Sequence, residues 1–245
     1  VTDTTACLTR QEARELNAMM VPMYYTRGGS RMYTEGFVED WQPGQNGSLI
    51  GHTTAQATSA GFSDLFSKLK AQGHQALCVT ISSRLSGTYM KALRAAEEAG
   101  DHVRVVDSRS TAGGIYLLLQ KARELLDGGQ TLEDTFEHLK HMRGRLKTLF
   151  TLQDMEPLRR SGRLGVVRLS VSAMLNVRPI LTLKDGAVVS HTLARGRQVQ
   201  LRQLMDGIDR AEGPIVVQHC ADQEAADSLG WRLTVPGTAA QMALT

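Results

Sequence analysis

Short apolar runs that alternate with stretches of helical periodicity dominate the first 152 residues, and they constrain the fold more than any other feature of the chain. The runs are Met20 to Tyr24, Ala76 to Ile81, Val103 to Val106 and Leu146 to Leu152. Between them, Gly61 to Lys70 sets Phe62, Leu65, Phe66 and Leu69 at helical spacing, and Tyr89 to Ala99 and Ile115 to Leu126 repeat the pattern. Thr131 with Asp134 resembles a capping box opening a helix that ends near Met142. Strands that are apolar throughout must be covered on both faces, so this order predicts an α/β fold with a mainly parallel sheet flanked by helices.

After Leu152 the pattern changes. MEPLRRSGRLG reads as a polar turn region, followed by the apolar, helix-like LSVSAMLNV. Ile180 to Leu183 and Ala187 to Leu193 flank Asp185-Gly186, a strong hairpin signal. Gln198 to Ala211 then reads as a helix, Ile215 to Gln218 as a strand and Asp222 to Leu229 as a helix. We therefore expect two α/β domains, 1–152 and 153–245, and 245 residues suffice for both cores. Arg27 to Thr53 reads as a long polar loop.

A formal charge of +3 is too small to argue for nucleic acid. Cys7, Cys78 and Cys220 contain no CxxC pair, which supports neither a disulfide framework nor a zinc site. No apolar run approaches the ~18 residues of a membrane span, and the first residues lack a signal-peptide pattern. A cytoplasmic protein without stable membrane insertion, metal or cofactor is expected.

Two segments concentrate hydroxyls where a strand gives way to a helix. ISSRLSGTY, Ile81 to Tyr89, carries Ser82, Ser83, Ser86 and Thr88; HTTAQATSAGF, His52 to Phe62, carries Thr53, Thr54, Thr58 and Ser59 beside Gln56. A nucleophile elbow needs G-x-S-x-G, and R-L-S-G-T around Ser86 lacks the first glycine. Neither phosphate-loop pattern occurs. Two readings stay open: separate helix caps, or, if the junctions adjoin, one cradle for a small anionic group.

Arg159, Arg160, Arg163 and Arg168 form a basic cluster without interleaved aromatics, either a solvated turn or part of a binding site. Asp3 and Asp107, at expected strand ends, are assigned to backbone amides. His219 and His52 are isolated histidines, read as structural.

Several of these segments resemble the DegV family, bacterial proteins that bind a single fatty acid. VTDTTACL at Val1 to Leu8 is similar to the family's I-T-D-S-T-x-x-L, and TAQAT at Thr54 to Thr58 to its T-S-Q-P-S. ISSRLSGTY resembles its serine signature, and VVDSRS at Val105 to Ser110 its V-x-D-S. SGRLG with MLNVRPIL, Ser161 to Leu181, resembles its G-G-R-I and L-L-x-I-K-P-I-L.

The resemblance implies a carrier whose fatty-acid tail lies in an internal tunnel. Its carboxyl group would be held by Thr54 and Ser86, with Ser83, Gln56 and Arg163 nearby. It also implies a separate fatty acid kinase that phosphorylates the bound acid to an acyl phosphate, so that this chain would not itself be an enzyme. A serine-dependent enzyme and a regulatory protein for a non-lipid ligand are the alternatives. Ten methionines and 5% aromatic residues suit an adaptable apolar lining, although Met19, Met20, Met90, Met155 and Met174 read equally well as core. The chain departs from the family at Ala55-Gln56-Ala57, where S-Q-P is usual. It departs again near Leu233, where a histidine is expected ahead of Pro236 and Gly237.

Overall fold

In the computed structural model, the apolar run at Ala76 is a strand with all five residues of Ala76–Thr80 buried. The structure describes residues 1–27, 31–40, 52–152, 154–163, 177–208, 212–220, 222–233 and 240–244. They belong to two compact units, Val1–Leu146 and Lys147–Thr245.

The first unit runs β1 (Thr2–Asp3), α1 (Arg10–Glu15), β2 (Met20–Val21), β3 (Tyr24–Arg27), β4 (Met32–Thr34), β5 (His52–Ala55), α2 (Ser59–Ala71), β6 (Ala76–Thr80), α3 (Thr88–Ala99), β7 (Val103–Asp107), α4 (Gly113–Asp127) and α5 (Leu132–Met142). A parallel sheet has the order β2-β1-β6-β7. Its strands bury alternate residues on opposite faces. Cys78, Val103 and Val105 pack with Phe62 and Phe66 of α2 and with Ala92, Ala95 and Ala96 of α3. The intervening Leu77, Val79 and Val106 are also buried, and α4 and α5 pack against β6 and β7. The α/β fold with helices flanking a parallel sheet is thus as the apolar alternation predicts.

The run Met20 to Tyr24 is not one strand but two, in different sheets: β2 joins the parallel sheet, and β3 is the centre of a small antiparallel sheet of order β4-β3-β5. Pro22 falls at the break, where a residue without an N–H does no harm to either ladder. The predicted loop from Arg27 to Thr53 therefore contributes β4 and the start of β5, and Tyr25 stacks on its cross-strand partner Tyr33 at 5.5 Å. Local caps follow from sequence. Thr9 and Glu12 form a reciprocal capping box on α1, which pattern reading overlooked. At α5, Thr131 accepts from the Asp134 N–H, but Asp134 answers through the Thr131 hydroxyl rather than the backbone.

The second unit contains β8 (Leu149–Phe150), α6 (Glu156–Arg160), β9 (Val177–Lys184), β10 (Ala187–Arg195), α7 (Arg197–Ile208), β11 (Ile215–His219), α8 (Gln223–Leu233) and β12 (Ala240–Leu244). Among the described residues, only Leu149 and Phe150 of the predicted strand from Leu146 to Leu152 pair, with β9. The polar turn region holds the short helix α6, opened by Pro157 near its first position. Asp185 and Gly186 take φ of 48° and 80°, the left-handed pair that a two-residue hairpin turn requires, and β9 and β10 pair around them. Strands β11 and β12 pair in parallel. Residues 164–176, which include Arg168, Leu164 and Gly165 of SGRLG, and Met174 to Asn176 of MLNV, lie outside the described residues. No described helix is long and apolar enough to cross a membrane.

Candidate functional site

Strand β1 has β2 on one side and β6 on the other, so the chain leaves the carboxyl ends of β1 and β6 in opposite directions along the sheet. Such a switch point opens a crevice in which doubly wound sheets hold ligands. Both segments that emerge there are polar: Asp3 to Thr5 after β1, and Ile81 to Thr88 after β6.

Asp3 ties the two together. One of its oxygens accepts from the Ile81 N–H at 2.8 Å, and the other accepts from the N–H of Thr5 at 3.0 Å and from the Thr5 hydroxyl. The carboxyl group is fully buried. Burial pushes its pKa up, and the hydrogen bonds from Thr5 and Ile81 oppose the shift. Next along the chain, the Thr4 hydroxyl accepts from the Met23 N–H at 2.9 Å and donates to Glu35 at 2.9 Å. Burial also raises the pKa of Glu35, against the Thr4 hydrogen bond and with the nearby charge of Asp3.

The bend after β6 is held by its own backbone and by β7. The Ser82 N–H donates to the Ser110 carbonyl at 2.8 Å, and the Ser86 N–H to the Ser82 carbonyl at 3.1 Å. Ser83 turns to Asp107, donating its N–H at 3.1 Å and its hydroxyl at 2.6 Å. Asp107 also accepts from the Arg109 N–H at 3.0 Å. Both aspartates thus serve backbone amides, as expected. Ser86 Oγ lies 2.9 Å from Thr88 Oγ1 and accepts from the Thr88 N–H at 3.3 Å. Among the described residues its hydroxyl meets Thr88 and not a histidine.

The two hydroxyl segments adjoin. Met23 Sδ accepts from the Ala57 N–H at 3.3 Å and from the Thr88 hydroxyl at 3.3 Å, so one buried thioether is bonded to both. Gln56 crosses the same gap: a Cβ at Gly87 would overlap its amide oxygen. Thr58 caps α2 by accepting from the Gly61 N–H at 3.1 Å, so capping and convergence occur together.

Of the residues singled out from sequence, Gln56 and Ser86 are brought to one place. Thr54 sits two residues before Gln56, exposed on β5 opposite Tyr25. Ser83 is on the same bend but engaged with Asp107. Arg163 belongs to the second unit, exposed, with its guanidinium donating to the Ser161 carbonyl. Its neighbours Arg159 and Arg160 pair with Glu156 at 2.6 and 3.6 Å, so the basic cluster is partly neutralised within α6. His219 accepts from the Asp222 N–H at 3.3 Å, a structural contact at the start of α8. No group of three or more potential metal ligands occurs among the described residues. Sequence reading missed Met23. Only the break at Pro22 hinted that this residue leaves the strand it follows.

Comparison with known proteins adds to this geometry. A family model described as "uncharacterised protein, DegV family" matches residues 1–234. A DegV domain-containing protein of Deinococcus radiodurans is 29% identical over 213 residues, covering 86% of this chain and 75% of its own length. One from Clostridium perfringens is 26% identical, covering 91% of this chain and 83% of its own. Among solved structures, a DegV family protein from Thermus thermophilus, described by its fatty acid binding, superposes with a TM-score of 0.86 at 28% identity. That match covers 99% of this chain and 90% of the other. A DegV family protein from Ruminococcus gnavus with vaccenic acid has the same fold, with a TM-score of 0.86 at 20% identity, covering 100% and 91%.

Proposed function

The chain belongs to the DegV family, and from that premise we propose that it binds one long-chain fatty acid in an internal tunnel and holds the carboxyl group at the bend after β6. Ser86 and Thr54 hold the carboxyl group, with Gln56 and Ser83 completing its surroundings in the first unit. The observation that carries this reading is the bonding of both hydroxyl segments to Met23 at a switch point of the parallel sheet. Support also comes from the fatty acid binding of the Thermus thermophilus relative, whose 28% identity extends over 99% of this chain.

The energetics are favourable. Burying ~14 methylenes at ~0.8 kcal/mol each offers on the order of 11 kcal/mol before ordering costs. An unpaired carboxylate would waste much of that, and hydroxyl donors offset its desolvation.

In this reading the protein works in the cytoplasm as a carrier, without nucleic acid, cofactor or membrane insertion. It presents the acid to a separate fatty acid kinase, which makes the acyl phosphate. The Ser86 hydroxyl, bonded to Thr88, is a ligand donor and not an activated nucleophile.

Mass spectrometry of an organic extract from natively purified protein tests the proposal, with a long-chain fatty acid expected at about one per chain. The double variant Thr54→Ala, Ser86→Ala should weaken fatty-acid binding by about tenfold or more, as loss of hydrogen bonds to a charged group implies, and still melt cooperatively. Absence of extracted lipid, together with no rise in Tm on adding fatty acid, would reject the carrier reading in favour of an enzyme or a non-lipid binding protein.

A further inference from the structure

The Thr88 hydroxyl has one proton and two acceptors within reach: Met23 Sδ at 3.3 Å and Ser86 Oγ at 2.9 Å. Where that proton goes decides what Ser86 can do. Directed at the sulfur, it leaves Thr88 Oγ1 as an acceptor, and the Ser86 proton closes onto it. The Ser86 donor is then spent inside the protein. Directed at Ser86 Oγ, it joins the Thr88 N–H at 3.3 Å as a second donor to that oxygen, and the proton of Ser86 is left to point outward.

We propose that Thr88 and Met23 are positioning residues that set the direction of the Ser86 hydroxyl proton, and through it the preference of this bend for an anionic headgroup over a neutral one. The inference rests on the fatty-acid reading above, which puts Ser86 at the carboxyl group. Both residues are buried, Thr88 completely and Met23 with 7% of its surface exposed, so they act through Ser86.

A thioether is a weak acceptor, so turning the Thr88 proton away from it costs little. Met23 Sδ keeps the Ala57 N–H in either arrangement. A hydroxyl that accepts while it donates is polarised toward its own acceptor. A carboxylate draws a charge-assisted bond about twice as strong as a neutral carbonyl does. The acid can therefore drive the turn, and an ester drives it less. A stronger acceptor in place of the sulfur would hold the Thr88 proton, and an alkyl group would leave Ala57 unpaired.

The test is a pair of titrations, with hexadecanoate and with methyl hexadecanoate, on the wild-type chain and on Thr88→Val, Thr88→Ser and Met23→Leu. We expect Thr88→Val to lower affinity for the acid about tenfold and for the ester less than about threefold, the difference between losing support for a charged and a neutral hydrogen bond. Thr88→Ser should keep the wild-type preference. Met23→Leu should melt at a lower temperature, because the Ala57 N–H loses its acceptor, while its preference for the acid holds or rises. Equal losses for both ligands in Thr88→Val would overturn the inference and leave the carrier reading standing. A fall in acid preference in Met23→Leu would do the same, and decides the matter alone if Thr88→Val does not fold. Wild-type protein that binds neither ligand would sink the carrier reading, and the inference with it.

Discussion

Asp3 accepts three hydrogen bonds with a carboxyl group that has no exposed surface. Its folded pKa lies above the ordinary value of 3.8, chiefly through burial, so the native state holds its proton more tightly than the unfolded chain does. The stability from this difference is fully present below the ordinary value and is lost as pH rises through the raised folded value. Glu35, raised mainly by burial, contributes with the same sign. Urea midpoints of the wild-type chain should therefore fall as pH climbs out of the ordinary carboxylate range, and Asp3→Asn should flatten that slope. An unchanged slope would mean that Asp3 does not titrate in this interval. The backbone role of Asp3 and Asp107 was legible from β-branched neighbours at strand ends. The role of Met23 was not, because a thioether becomes an acceptor only when folding carries the Ala57 and Thr88 donors to it.

At the scale of elements, Gly87 opens α3 with φ −72° and ψ 1°, a conformation open to any residue. A methyl group there would instead displace the Gln56 amide, the far end of a flexible and exposed side chain. Gly87→Ala should therefore keep thermal stability to within about 1 kcal/mol while weakening fatty-acid binding severalfold. A stability loss well beyond that would place the glycine's role in the backbone. Strands β6 and β7 and helices α2 to α5 were readable from their apolar period, which a side-chain cap reinforces at Thr58 of α2 and Thr131 of α5 but not at α3 or α4. Met20 to Tyr24 misled because apolar character records burial and not which sheet does the burying. Leu146 to Leu152 misled because, among the described residues, only Leu149 and Phe150 of the run find a strand to pair with. Among the methionines, Met19 and Met90 are 41% and 48% exposed, so neither is core.

The whole molecule carries its recognition motifs in dispersed order, which is why the resemblance could be read across most of the chain while the geometry of any one motif could not. In the first unit, Cys78 sits within the core between β6, β7, α2 and α3, and burial pushes its thiol up to about 12. It resists alkylation until that core opens. Most members of its cluster, from Ala57 to Val105, lie within 27 positions of it. The bend after β6, by contrast, is completed by Asp3, 78 positions from Ile81, and by Met23, 65 positions from Thr88. Closing such separations costs chain entropy before any bond is gained. Binding competence should therefore arrive late in refolding. In pulsed thiol labelling with mass mapping of the peptides, Cys78 should become protected before fatty-acid binding returns, and simultaneous recovery would refute that order. A newly made chain would then pass through a stage with its core already closed and its cargo site not yet assembled, an interval in which it cannot capture a free fatty acid.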